Sequence, residues 1–216
     1  MTGAPIYLDE LEVDALTELV NIGVSRAAAS LRKMVNRPVI LSVPAVEVIS
    51  RAAAAVLIGE REVGQLVAIR QDFSGAFAGR AMLIFPEANS LALVRAVTGD
   101  VLSPTEIEDL EDEALTETGN VVLNNCLATI ANMLQRPLEM SLPEVQRGPG
   151  SGLFDFQDTG AAEGVVLFLY INFAVSERDI RGYIAVLMDL PSLSALKALV
   201  REFIERVVGP SAVAGV

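Results

Sequence analysis

The sequence predicts an α+β fold: a single domain of two pseudo-symmetric repeats, with long helices packed outside an antiparallel or mixed sheet. Three observations carry this reading. An acid, a Glu, an Asn and a Pro recur 99 positions apart, as Asp14, Glu18, Asn21 and Pro44 and again as Glu113, Glu117, Asn120 and Pro143. Ungapped identities accompany them, among them Leu16/Leu115, Thr17/Thr116, Met34/Met133, Pro38/Pro137 and Ser42/Ser141. In each half a long helical period is followed by strand-like runs and a second helix, which places the repeats at about 8–100 and 107–208.

In chain order, 9–36 reads as a long helix, continuous or broken near Gly23, and 39–49 as extended chain around Pro44. Strand character follows at 65–73 and 79–85, the latter ending at Pro86, which cannot extend a ladder. A helix at 88–97 is closed by Thr98 and Gly99. The second half repeats the order: helix at 106–135, extended chain at 138–145, strands at 164–175 and 182–189, helix at 191–208. The glycine-rich run 148–152 reads as a loop or turn, and 209–216 as a frayed tail.

The repeated residues lie on the faces that a core does not need. At roughly 100° per residue, Asp14, Glu18, Asn21 and Ser25 share one face, opposite Leu16, Leu19, Val20, Gly23 and Ala27. In the second copy Glu113, Glu117, Asn120 and Asn124 oppose Leu115, Gly119, Val122 and Cys126. One such face alone would pass for an ordinary solvated surface. Two copies at the same Pro spacing would not, because Asn is a mediocre helix former with no reason to recur beside the same Glu. On this reading Asn→Ala at either position should cost no more than about 0.5 kcal/mol of stability.

The pattern Asp14-x3-Glu18-x2-Asn21-x22-Pro44 resembles the signature of the CheC, CheX and FliY phosphatases of bacterial chemotaxis. The likeness spans about 8–199 and includes Asn21-Ile22-Gly23, the alanines 27–29, and Asn120 with Asn124 and Asn125. Two motifs in one chain are most similar to the two-site CheC members, since CheX carries one and FliY adds a flagellar-switch domain. One position departs: Glu113 stands where the family has Asp or Ser, so the second site is expected to be the weaker.

The resemblance implies a phosphatase acting on the aspartyl phosphate of a CheY-like response regulator, which brings its own Mg²⁺ and lysine, so that no cofactor or metal of this chain is required. It implies that Asn21 and Asn120 position the attacking water and that Glu18 and Glu117 pair with the regulator's lysine. Asp14 and Glu113 would guide approach at the rim, and Pro44 and Pro143 would fix the adjoining chain. CheD, a receptor-modifying glutamine deamidase, is implied as a further partner. The alternative is a binding module that docks phosphorylated CheY or CheD with little turnover. A structural flagellar-switch component is disfavoured, because no extra domain is expected after Val208.

Composition agrees. A net charge of −12 argues against nucleic acid or an anionic membrane surface, leaving proteins as partners. There is no histidine, which removes His-based triads and His-ligated zinc, and no phosphate-binding glycine loop. The single cysteine, Cys126, is expected to be a small core residue. The longest apolar stretch, 164–175, is too short to span a bilayer, and no secretory signal is visible, so a cytoplasmic protein without membrane insertion is expected.

Overall fold

The computed structural model describes residues 8–36, 38–98, 104–154, 164–175 and 178–209; the side chain of Pro44 lies outside the described set, as do Gly99 and the tail beyond 209. The chain order is α1 (Glu10–Val35), β1 (Val39–Ser50), α2 (Arg51–Arg61), β2 (Gln65–Gly75), β3 (Gly79–Pro86), a 3-10 turn (Glu87–Asn89) and α3 (Ser90–Thr98). There follow α4 (Pro104–Met133), β4 (Leu138–Met140), β5 (Glu144–Pro149), α5 (Gly150–Leu153), β6 (Gly164–Val175), β7 (Arg178–Asp189) and α6 (Leu190–Val208). The fold is α+β, and every strand pair is antiparallel.

The sheet runs β1, β6, β7, β3, β2, with β4 and β5 both on the far edge of β2. Each half therefore lends its outer strand to the other. β1 pairs with β6, and β4 and β5 pair with β2. The two halves interleave, and each face of the shared sheet is built from both.

β3 reads as an unbroken apolar run because both of its faces are covered. Ala81, Leu83 and Phe85 join the core beneath α1, α3, α4 and α6, while Met82 and Ile84 join a second core beneath α2 and α5. α1 starts on a capping box, in which the Asp9 carboxylate accepts from the Glu12 N–H and the Glu12 carboxylate accepts from the Asp9 N–H. Glu12 is also buried against Arg201 and Lys197, which ties α1 to α6. α1 runs unbroken through Gly23. That glycine serves close packing, because a Cβ there would lie 2.8 Å from Cys126 Cα on α4.

Three expectations need correction. The sequence reading places no element at 51–61, yet α2 forms there, with Ser50 Oγ accepting from the Ala53 N–H and a run of alanines favouring the helix. The run 148–152 is no free loop: β5 continues through Pro149, and α5 follows with Gly150 pressed on Ile58, so tertiary packing overrides the local turn signal. β7 begins at Arg178, extended by its pairing with β6. Among the described residues no helix is long and apolar enough to cross a membrane.

Candidate functional site

On α1 the inner stripe is buried throughout, with Leu16, Leu19, Val20, Gly23 and Ala27 all in the core. Asp14, Glu18 and Ser25 are exposed, and Asn21 is half-buried. Glu18, Asn21 and Ser25, with Ile22, Arg26 and Ala29, line an open depression on the surface.

What holds Asn21 is the next strand. The register of β1 against β6 shifts between Ser42 and Ala45, a bulge that spans Val43 and Pro44 opposite Ile171. A bulge releases a backbone N–H from the ladder. Here the Val43 N–H donates to Asn21 Oδ1 at 3.2 Å. Pro44, which has no N–H, occupies the next position of this outer strand.

The second copy reaches the same state by other means. Glu113 and Glu117 are exposed, Asn120 and Asn124 half-buried, and Leu115, Gly119, Val122 and Cys126 buried. Pro143 falls in the gap between β4 and β5, so each copy has its proline at an irregularity of its outer strand, a bulge in β1 and a break in the second copy. Asn120, however, takes its hydrogen bonds from side chains. Gln71 Nε2 donates to Asn120 Oδ1 at 3.2 Å and to the Ser141 carbonyl at 3.0 Å, and Asn124 Nδ2 donates to the same Oδ1 at 2.6 Å.

These bonds fix which way every amide points. The Ser141 carbonyl can only accept, so Gln71 must present nitrogen to it; Asn120 must then present oxygen to Gln71, and Asn124 nitrogen to Asn120. At the first site the Val43 N–H can only donate, so Asn21 presents oxygen to it. Both motif asparagines are thus anchored through oxygen, and among the described residues neither Nδ2 has a hydrogen-bond partner. Asn120 Oδ1 has both lone pairs engaged, so this side chain is a donor only; Asn21 Oδ1 retains one.

Beside the second site, Ser141 pairs with Asp72 twice, its N–H to the Asp72 carbonyl and its Oγ from the Asp72 N–H. Hydrogen bonds from Arg80 hold the Asp72 carboxyl below its ordinary range against the opposing effect of burial. Cys126 is buried and its thiol pushed up to about 12 by burial, which makes it a core residue rather than a nucleophile. Among the described residues no cluster of three or more Cys, Asp or Glu side chains could hold a metal ion.

Gln71 and the Val43 N–H were missed in the sequence. Gln71 left a signal there: in β2 the alternate positions Val67, Ile69 and Phe73 face the helices, and Gln71 puts a polar group on that apolar side.

No family model matches the chain. Among curated proteins it is 24% identical over 199 residues to the CheY-P phosphatase CheC of Bacillus subtilis, covering 88% of this chain and 93% of that one. To the flagellar motor switch phosphatase FliY of the same organism it is 22% identical over 141 residues, 64% of this chain and 36% of that one. Among solved structures, Thermotoga maritima FliY shares the fold with a TM-score of 0.73 at 15% identity, over 92% of this chain and 100% of that one. With the motif present twice in its sequence, the chain is similar along most of its length to CheC, in part to FliY, and shares the fold of a solved FliY.

Proposed function

We propose that this protein hydrolyses the aspartyl phosphate of a CheY-like response regulator in chemotaxis signalling. The observation that carries the proposal is the shared state of Asn21 and Asn120, each tethered through its oxygen beside an exposed glutamate with its NH₂ group uncommitted. Support also comes from the likeness to a curated CheY-P phosphatase along nearly the whole chain.

Dephosphorylation needs a water in line with the phosphorus and the leaving carboxylate, and phosphoryl transfer is governed by positioning and charge stabilisation. In the proposed step the Asn Nδ2–H donates to one lone pair of that water, leaving the other aimed at phosphorus. The transferring phosphoryl oxygens take the water's proton, and the regulator's aspartate leaves as carboxylate. Fixing the nucleophile in this way contributes several kcal/mol to lowering the barrier. Glu18 and Glu117 receive the regulator's lysine, which sets the register of helix against active site. Asp14 and Glu113 guide approach, Pro44 and Pro143 hold the irregular outer strands, and Mg²⁺ arrives with the regulator.

We further propose a cytoplasmic location and CheD as a second partner, both resting on the likeness to CheC. The test of the main proposal is phosphate release from phosphorylated CheY-like regulator, which should accelerate with catalytic amounts of this chain. A chain that binds the phosphorylated regulator and leaves its lifetime unchanged or longer would be a docking module instead.

A further inference from the structure

We propose that Gln71, a residue of the first half of the chain, is the positioning residue of the second site. This rests on the phosphatase reading for its consequence in turnover, but not for its geometry. The two sites must solve one problem, which is to hold an asparagine oxygen so that its NH₂ faces outward. At the first site the donor is backbone, the Val43 N–H released by the bulge. At the second site the outer strand is broken into β4 and β5, and its residues 141–143 supply Asn120 with no such bond among the described residues.

The donor comes instead from the neighbouring strand. β2 runs past the break, with Arg70 paired to Glu144 on one side and Phe73 to Met140 on the other, so Gln71 lies opposite the gap. In the matching place, opposite the bulge of β1, stands Ile171 of β6, a buried core residue. Where a backbone N–H does the work, the facing residue is apolar; where none does, it is a glutamine. Gln71 is 1% exposed, and its two N–H groups go to Ser141 O and Asn120 Oδ1, so its amide bridges the interrupted strand and the site. Its Oε1 is buried without a partner in the structure, a cost that a purely packing residue such as Met would not carry.

The test uses each site alone. In an Asn21→Ala background, where only the second site acts, Gln71→Met should lower kcat about tenfold with KM within about twofold, because a mispositioned NH₂ weakens the transition state more than docking. In an Asn120→Ala background the same change should leave turnover as it was. Equal losses in both backgrounds, or no loss in the first, would overturn the proposal. Gln71→Glu covers the case in which Met disturbs folding: it keeps the shape, and its turnover in the Asn21→Ala background should rise as pH falls, when the carboxyl regains a proton to donate; a flat profile counts against the proposal. Side-chain amide NMR separates this from the phosphatase reading itself. The Asn120 NH₂ signals should move in Gln71→Met while those of Asn21 stay, whether or not the chain is found to release phosphate; unmoved Asn120 signals would sink the positioning role.

Discussion

Removing the two asparagines should have unequal effects on stability. Asn21→Ala loses one hydrogen bond, from Val43 N–H, worth about 1 kcal/mol. Asn21 lines an open depression, so water can take over that donor. The higher helix propensity of Ala offsets about 0.6 kcal/mol. The net cost is therefore about 0.5 kcal/mol, within what the sequence led us to expect. Asn120→Ala differs, because Asn120 accepts from two side chains. One N–H of Gln71 would be left buried without an acceptor, at about 1–3 kcal/mol, and Asn124 would lose its acceptor as well. After the same propensity offset the net cost is about 2 kcal/mol, so the expectation of a neutral change fails at this site. For a chain of this size the difference of about 1.5 kcal/mol corresponds to a melting temperature roughly 3–6 °C lower for Asn120→Ala than for Asn21→Ala. Thermal melts of the two variants decide it. Equal melts, or a lower melt for Asn21→Ala, would refute the amide network as described.

Further outcomes follow from the same geometry. Asn120→Asp and Asn21→Asp each replace an outward NH₂ by an acceptor and should silence their own site in single-site phosphate-release assays; retained turnover would show that the amide nitrogen is not the working group. Gly23→Ala should destabilise by about 1–2 kcal/mol, since its Cβ meets Cys126 backbone at 2.8 Å, whereas Gly59→Ala on α2 meets nothing within 4 Å and should stabilise by about 0.5–1 kcal/mol; urea titrations of both check the contrast. The Asp72 carboxyl, held by Arg80 below its ordinary 3.8, contributes stability that is present above that pH and lost as pH falls through the lowered folded-state value. Asp72→Asn should therefore shallow the acid limb of a stability profile below about pH 4, and an unchanged limb would contradict the pairing. In turnover the order of the asparagines should reverse, with Asn21→Ala costing more than Asn120→Ala, because Glu113 lengthens the acid at the rim of the second site.

The sequence made the helices and the candidate faces legible because both are local. The core stripe of α1 follows from the 3.6-residue period, and its start from the capping pair Asp9 and Glu12. Strand character was readable at 65–73, within β2 (Gln65–Gly75), and at 164–175, an apolar run that coincides with β6. Strand exchange was not, because pairing β1 with β6 joins residues more than a hundred positions apart, and no local preference encodes that choice. The same holds for the donors to the asparagines. The Val43 N–H becomes available only through a bulge, and Gln71 reaches Asn120 only because β2 borders the broken strand of the other half. The short helix α5 was hidden for a related reason: Gly150 is held by contact with Ile58 rather than by propensity.

The most direct test of the central claim is steady-state phosphate release from a phosphorylated CheY-like regulator with the wild-type chain, Asn21→Ala, Asn120→Ala and the double variant. Wild type should turn over many regulators per chain, each single variant should retain part of that rate, and the double variant should fall to the regulator's own rate while still unfolding cooperatively. A double variant that is folded and keeps wild-type turnover would show that these asparagines do not carry the chemistry.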